Sequence, residues 1–398
     1  MLMGATLPAV ARWTGATRTG VAQTRLLYAA NTIGAVVGVL IAGFYLLRLH
    51  DTVVTTLVAV GLNVGVALVA LWLAARRHRA TVSEVAEPRV AARPVVLAAI
   101  GLSGLASLGA EVVWTRQLSL LFGATVYNFS LILAVFLAGV GAGSLGGAWL
   151  AKRTDRADLA LGWCRLALLV ALPYGAYMIG YQIPFWQVGE HVLPWVYASR
   201  PLLFVYDIAR SAVSMGPATL CWGASFPLAL ATANAGKSDA GRLVARVSVV
   251  NTLGALVGTV VFSLVVIPGL GTAGAQQALA VVAATAAVVV FLAASRRGLE
   301  SREHREHRPG AALERLRGVR LRPAWWAGLV VVATLASVWA VPHTPNGLIA
   351  LGRDIEGWDT STSLESQTFW GESRPAWIGI SGTPSGSHLL GPVRARRQ

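Results

Sequence analysis

Uncharged apolar runs long enough to cross a bilayer recur along this chain, and the short stretches between them hold most of its charges. A hydrocarbon core of about 30 Å takes about 20 helical residues. Lipid also forbids unpaired backbone, so a run of that length folds as a helix or not at all. Spans are therefore expected near 26–47, 53–75, 95–121, 126–150, 159–181, 202–231, 243–267, 273–294 and 324–341, which makes nine helices. Composition agrees: the 398 residues are 55% hydrophobic and 13% charged, with a mean hydropathy of +0.61, too apolar throughout for a water-soluble fold.

The formal charge of +15 does not point to nucleic acid, because the basic residues sit between apolar blocks. There they set orientation. The connections 76–93 (Arg76, Arg77, Arg79, Arg89, Arg93), 151–158 (Lys152, Arg153, Arg156), 232–242 (Lys237, Arg242) and 295–323 are basic, whereas 122–125 and 268–272 carry no charge. Positive-inside places all the basic loops in the cytoplasm of a multi-pass plasma-membrane protein, with residues 342–398 outside. No cleavable signal peptide is expected, since the first long apolar run follows Arg12, Arg18 and Arg25 and has full spanning length. Cys164 and Cys221 lack CxxC or Cys/His company, so neither a disulfide framework nor a metal site is read from them.

Internal repetition divides the chain. "GATLPAVA" at Gly4 recurs as "GASFPLAL" at Gly223, and "NTIGAVVGVLIAGF" at Asn31 recurs as "NTLGALVGTVVFSL" at Asn251, an offset of about 220 residues with one insertion. Two matches in one order at one offset indicate duplication. Six spans lie between matched points, so the copies share an orientation, as in a parallel repeat of six-helix halves. The expected fold is thus an all-α, major-facilitator-like membrane protein with an incomplete first half. Its parts are the end of the first half (1–75), a basic linker (76–93), a complete half (94–294), a second basic linker (295–323), a ninth helix (324–341) and a polar tail (342–398). The chain reads as part of a longer protein, beginning part-way through its own duplicated unit.

Three short motifs have bland explanations. "GLGTAG" from Gly269 matches GxGxxG, but a full span precedes it and no acid follows until Glu300, so a tight turn between helices is expected instead of a dinucleotide loop. His304 and His307 lie in an arginine-rich stretch and read as a solvated linker. Small residues at helical spacing, Gly34 with Gly38, Gly254 with Gly258, and Gly139, Gly143 and Gly147, read as packing faces, because helices in lipid associate by close backbone approach.

Polar groups inside spans are the site candidates, since an ionised group in hydrocarbon costs several kcal/mol and normally faces a cavity or a partner. They are Glu111 and Arg116 on one helix, Asn128 at the start of the next, Asp207 and Arg210 at i, i+3 on the sixth, and the repeat mates Asn31 and Asn251. At 100° per residue Glu111 and Arg116 point about 140° apart and do not pair within their helix. A helix over 94–122 is about 42 Å long, so Arg116 is expected to reach the outer interface, leaving Glu111 as the deeper candidate. Asp207 and Arg210 read as an intrahelical ion pair near an interface.

The string "GLSGLASLGAEVVWTRQLSLLFGATVYNFSLILAVFLAGVGAGSLGGAWLAKR", with both "GA(T/S)(L/F)P" and both "NT(I/L)GA(V/L)VG" segments, resembles the fused major-facilitator/spermidine-synthase-like membrane proteins over most of residues 4–350. "GGAWLAKRTDRAD" is similar to the cytoplasmic loop of major-facilitator transporters. The resemblance implies a soluble aminopropyltransferase domain after the membrane part, using putrescine and decarboxylated S-adenosylmethionine through a GGGxG loop and catalytic aspartates. Here no such loop follows "GLIALGRDIEGWD", and no catalytic, cofactor-binding or metal residue carries over. The expectation is the membrane portion of such a protein, without catalytic activity or cofactor as it stands. A transporter or sensor of a small solute such as a polyamine, or a structural membrane scaffold, are the alternatives, with the bilayer as the principal partner.

Overall fold

A computed structural model describes residues 31, 33–76, 94–154, 156–186, 195, 199–233, 240–306, 323–344, 370–372, 377–383 and 386–390. Among the described residues the main helical elements follow apolar runs. They are α1 (Ile33–Leu49, with a π-helical stretch Ile41–Leu46), α2 (Thr52–Arg76), α3 (Pro94–Phe122), α4 (Val126–Arg153), α5 (Ala157–Tyr177, continued by a π turn to Gln182), α6 (Arg200–Ala233), α7 (Ala240–Val261), α8 (Ile267–Glu306) and α9 (Pro323–Ala340).

Among the described residues, five stretches are long and apolar enough to cross a membrane: Thr52–Ala75 of α2, α3, α4, α5 to Gln182, and a continuous run Leu243–Ala294. The run joins α7 to α8 through a π turn at Phe262–Val266, and its helical geometry breaks at Gly271, whose φ of 70° and ψ of −178° belong to a region open essentially to glycine alone. The break falls inside the "GLGTAG" motif, which is a turn here.

Contacts give each limb its direction. Gly254 and Gly258 of α7 lie on Gly101 and Leu105 of α3, so these two helices ascend together. Gln276 of α8 meets Gln117 near the end of α3, and Phe291 meets Gly162 near the start of α5, so α8 runs the opposite way. Gln277 meets Val338 near the end of α9, which therefore ascends again. One end of the bundle thus holds the turns at Gly123 and Gly271 together with Thr344, and the other holds Lys152, Arg153, Arg156 and the end of α8. Among the described residues, Lys152, Arg153 and Arg156 thus lie at the end opposite Gly123 and Gly271.

Two seams carry the packing. Along α4 and α6, a Cβ on Gly143 would run into the Leu220 carbonyl, one on Gly147 would lie 2.6 Å from Ala224 Cα, and one on Gly223 would run into the Val140 carbonyl. Along α3 and α7 the arrangement repeats: Gly254 and Gly258 face the carbonyls of Gly101 and Leu105, and Gly104 faces the carbonyl of Asn251. Without hydrophobic driving force in lipid, such backbone approach is what lets dispersion hold helices together. Between the seams a core forms around Trp114, Leu118, Ile132, Leu168, Ile179 and Trp222, with the two indole rings 5.7 Å apart.

Residues 31–76 attach at one end, where Phe44 packs edge-on against Phe204 at 4.6 Å and tilts onto Tyr127 at 5.7 Å, and where a Cβ on the buried Gly43 would run into Ser130 of α4. No residue of the apolar window of α2 is buried. Outside the helices, Trp370–Glu372, Trp377–Thr383 and Gly386–Leu390 form an antiparallel three-stranded sheet in sequential order. The middle strand, "WIGISGT", has the β-branched and aromatic content that favours strand. Pairing of Thr383 with Gly386 leaves only Pro384 and Ser385 between the two strands.

Candidate functional site

The polar groups picked out by the sequence fall into separate places. Asn128, Asp207 and Arg210 gather about the end of α3. The Asn128 amide donates to the carbonyls of Phe122 and, at 2.9 Å, Gly123, satisfying acceptors that a helix end leaves open. Arg210 donates to the Ile183 carbonyl at 2.8 Å, pairs with Asp207 at 3.4 Å, and lies over the Phe122 and Tyr206 rings at 5.3 and 5.4 Å. These three residues bind protein backbone and each other, and together they fasten the ends of α3, α5 and α6.

Glu111 is half-buried on α3 and has neither hydrogen bond nor ion pair among the described residues. Helical geometry places it about 12 Å along the axis from Ser103. Its direction from the axis is on the side of Gly104, the face that α7 covers lower down the helix. Arg116 is half-buried further along the same helix. Asn251 is half-buried with its carbonyl over Gly104, whereas its repeat mate Asn31 is exposed. The glycines of the two copies differ in the same way: Gly254 and Gly258 sit against α3, while a Cβ on Gly34 or Gly38 would meet nothing within 4 Å.

Two buried polar groupings went unread in the sequence. In the first, Gln276 donates to Gln117 at 2.8 Å, Gln117 donates to the Thr344 hydroxyl at 3.4 Å, and the hydroxyls of Thr272 and Thr344 share a 2.7 Å hydrogen bond. This ties α3, α8 and the segment after α9. In the second, Arg165 of α5 is only 1% exposed and donates from Nη1 to Ser103 Oγ at 2.8 Å. The signal for it was present, a lone arginine inside "ALGWCRLALLV", and is the same signal that singled out Glu111.

Two grooves accompany these groups. One of about 500 Å³ runs from Thr154 and Arg156 past Trp163 to Cys164 and Cys221, both free thiols. The other, about 710 Å³, lies between α8 and α9 beside Gln277, Trp339 and His343. Neither touches Glu111, Asn251 or Arg165. Among the described residues, no group of three or more His, Cys, Asp or Glu is placed to hold a metal.

Comparison with protein families, with curated proteins and with solved structures finds no match. The chain is a protein of apolar helices compatible with a multi-pass membrane protein.

Proposed function

We propose that this chain is the membrane part of a solute-handling protein of major-facilitator type, with nine spans, basic connections in the cytoplasm and a plasma-membrane location. The supporting observation is the pairing pattern of α3 to α8. Exchanging the triplet α3, α4, α5 for α6, α7, α8 carries the α4–α6 seam onto the α7–α3 seam, and the α5–α6 contact onto the α8–α3 contact. The α5–α8 and α3–α6 contacts map onto themselves. A triplet has an odd number of passes, so its two copies are inverted, the arrangement nested within each half of major-facilitator proteins. On this reading α1 and α2 are the last two helices of the other half, Glu111 faces the path between halves, and a cationic solute such as a polyamine is the first to test.

Proteoliposomes holding the chain should accumulate labelled putrescine or spermidine, and Glu111→Gln should cut that uptake. Uptake no greater than in protein-free vesicles would sink the reading, and unchanged uptake by the variant would remove Glu111 from it.

A second reading, the membrane portion of a spermidine-synthase-like fusion, is favoured by the string beginning "GLSGLASLGAEVVWTRQL", which lies on one continuous helix, α3. It expects no aminopropyl transfer to putrescine by this chain alone, and measured transfer would contradict the inactivity.

A further inference from the structure

Arg165 poses a problem of charge that nothing in the solute path answers. It stands eight residues into α5, about 12 Å from the end of the helix. Its head group does not reach back toward that end, because Nη1 is held at 2.8 Å by Ser103, itself nine residues into α3. Snorkelling, the usual escape of an arginine in a membrane, is therefore not what this side chain does. It is 1% exposed, and its Nε and Nη2 are buried without a hydrogen-bond partner among the described residues.

Among the described residues no carboxylate relieves it. Asp158 is two turns back on α5, where it accepts from the Leu159 amide at 3.0 Å and lies 3.9 Å from Arg156. Glu111 is about 12 Å along α3 from Ser103. A buried cation whose partner is missing is strongly destabilising, so a guanidinium kept at this depth implies an anion to meet it.

The geometry of the unpaired edge is specific. A guanidinium is planar, and Nε–H and one Nη2–H point the same way along one edge, the edge that grips two oxygens of a carboxylate or phosphate side by side. Ser103 engages the other nitrogen. The protein has fixed the orientation of the group with a neutral hydroxyl and left its bidentate edge unused.

We propose that Arg165 and Ser103 form an oxyanion-binding site where the Arg165 side chain of α5 reaches across to α3, taking the carboxylate or phosphoryl group of a small molecule. The inference goes beyond the solute-handling reading and does not depend on it, since binding can be measured without flux.

The test uses the full chain in detergent micelles, with tryptophan fluorescence following thermal unfolding as sodium acetate or inorganic phosphate replaces chloride at fixed ionic strength. Wild type should be stabilised saturably by at least one of the two. Acetate alone would assign a carboxylate, phosphate alone a phosphoryl group. Arg165→Lys keeps the charge and loses the two-pronged edge, and its half-saturating concentration should rise at least about tenfold. Ser103→Asp supplies a resident carboxylate beside the guanidinium. It should raise the unfolding temperature in chloride and abolish the response to added anion. The proposal is overturned if wild type shows no saturable shift with either anion. It is equally overturned if Arg165→Lys responds as wild type does, or if Ser103→Asp retains the full response.

Discussion

The Asn251 carbonyl lies over Gly104 so closely that it takes the place where the first side-chain carbon of any other residue would stand. Most of the bundle's architecture follows from contacts of this kind, in which one helix rests on the bare backbone of another.

Adding carbon at the seams should part them. Gly104→Ala and Gly143→Ala each drive a Cβ into a backbone carbonyl that cannot rotate away, and each should cost roughly 1–3 kcal/mol. Gly146→Ala and Gly61→Ala, where a Cβ meets nothing within 4 Å, should leave the midpoint of thermal unfolding in micelles unchanged or raise it slightly. Equal losses at all four positions would contradict the seam assignment.

Asn128 should be irreplaceable by its acid. Its amide donates to two carbonyls at the end of α3, a role a carboxylate cannot fill. Asn128→Ala should destabilise by about 1–3 kcal/mol, and Asn128→Asp by at least as much. Rescue by the aspartate would show that size, and not donation, matters there.

Arg210 should matter more than its acidic partner. Asp207 is joined to it by a partly exposed pair, in which Asp207→Asn removes only about 0.2–1 kcal/mol. Arg210→Gln also loses a 2.8 Å bond to the Ile183 carbonyl, of the charge-assisted kind worth about 1.5–3 kcal/mol, and its cover of Phe122. A larger effect of Asp207→Asn than of Arg210→Gln, in chemical unfolding, would reverse the assignment.

The two ends of the bundle should lie on opposite sides of the membrane. With Cys164 and Cys221 replaced by serine, a cysteine at His50 or His343 should react with a membrane-impermeant maleimide on intact cells. A cysteine at Arg156 should react only after permeabilisation. Labelling of all three from one side would break the alternation.

The helical character and the turn at "GLGTAG" were legible because each is a local property of composition and glycine placement. The ion pair of Asp207 and Arg210 was legible because i, i+3 spacing fixes it within one helix. The partners of Asn128 were not, since its neighbourhood at Phe122 and Gly123 depends on how the chain turns between two helices. Arg165 carried a readable charge signal, but its bond to Ser103 spans 62 residues and nothing in either helix announces it. The Gln117–Gln276–Thr344 chain was hidden for the same reason, its members lying on three segments that meet only when α8 folds back at Gly271. The sheet at 370–390 was missed because its short strands are interrupted by glycine and serine, which dilute the alternation.

Seams made of backbone against backbone have a mechanical consequence. Side chains can change rotamer and let packed helices slide, but a carbonyl seated on a glycine has no such freedom. Helices α3 with α7 and α4 with α6 are thus two stiff struts, and a rearrangement of the bundle must leave each strut whole. Where the struts meet α5 and α8 the contacts run through side chains, as the Phe291 ring on Gly162 does, and such contacts can give where a carbonyl on a glycine cannot.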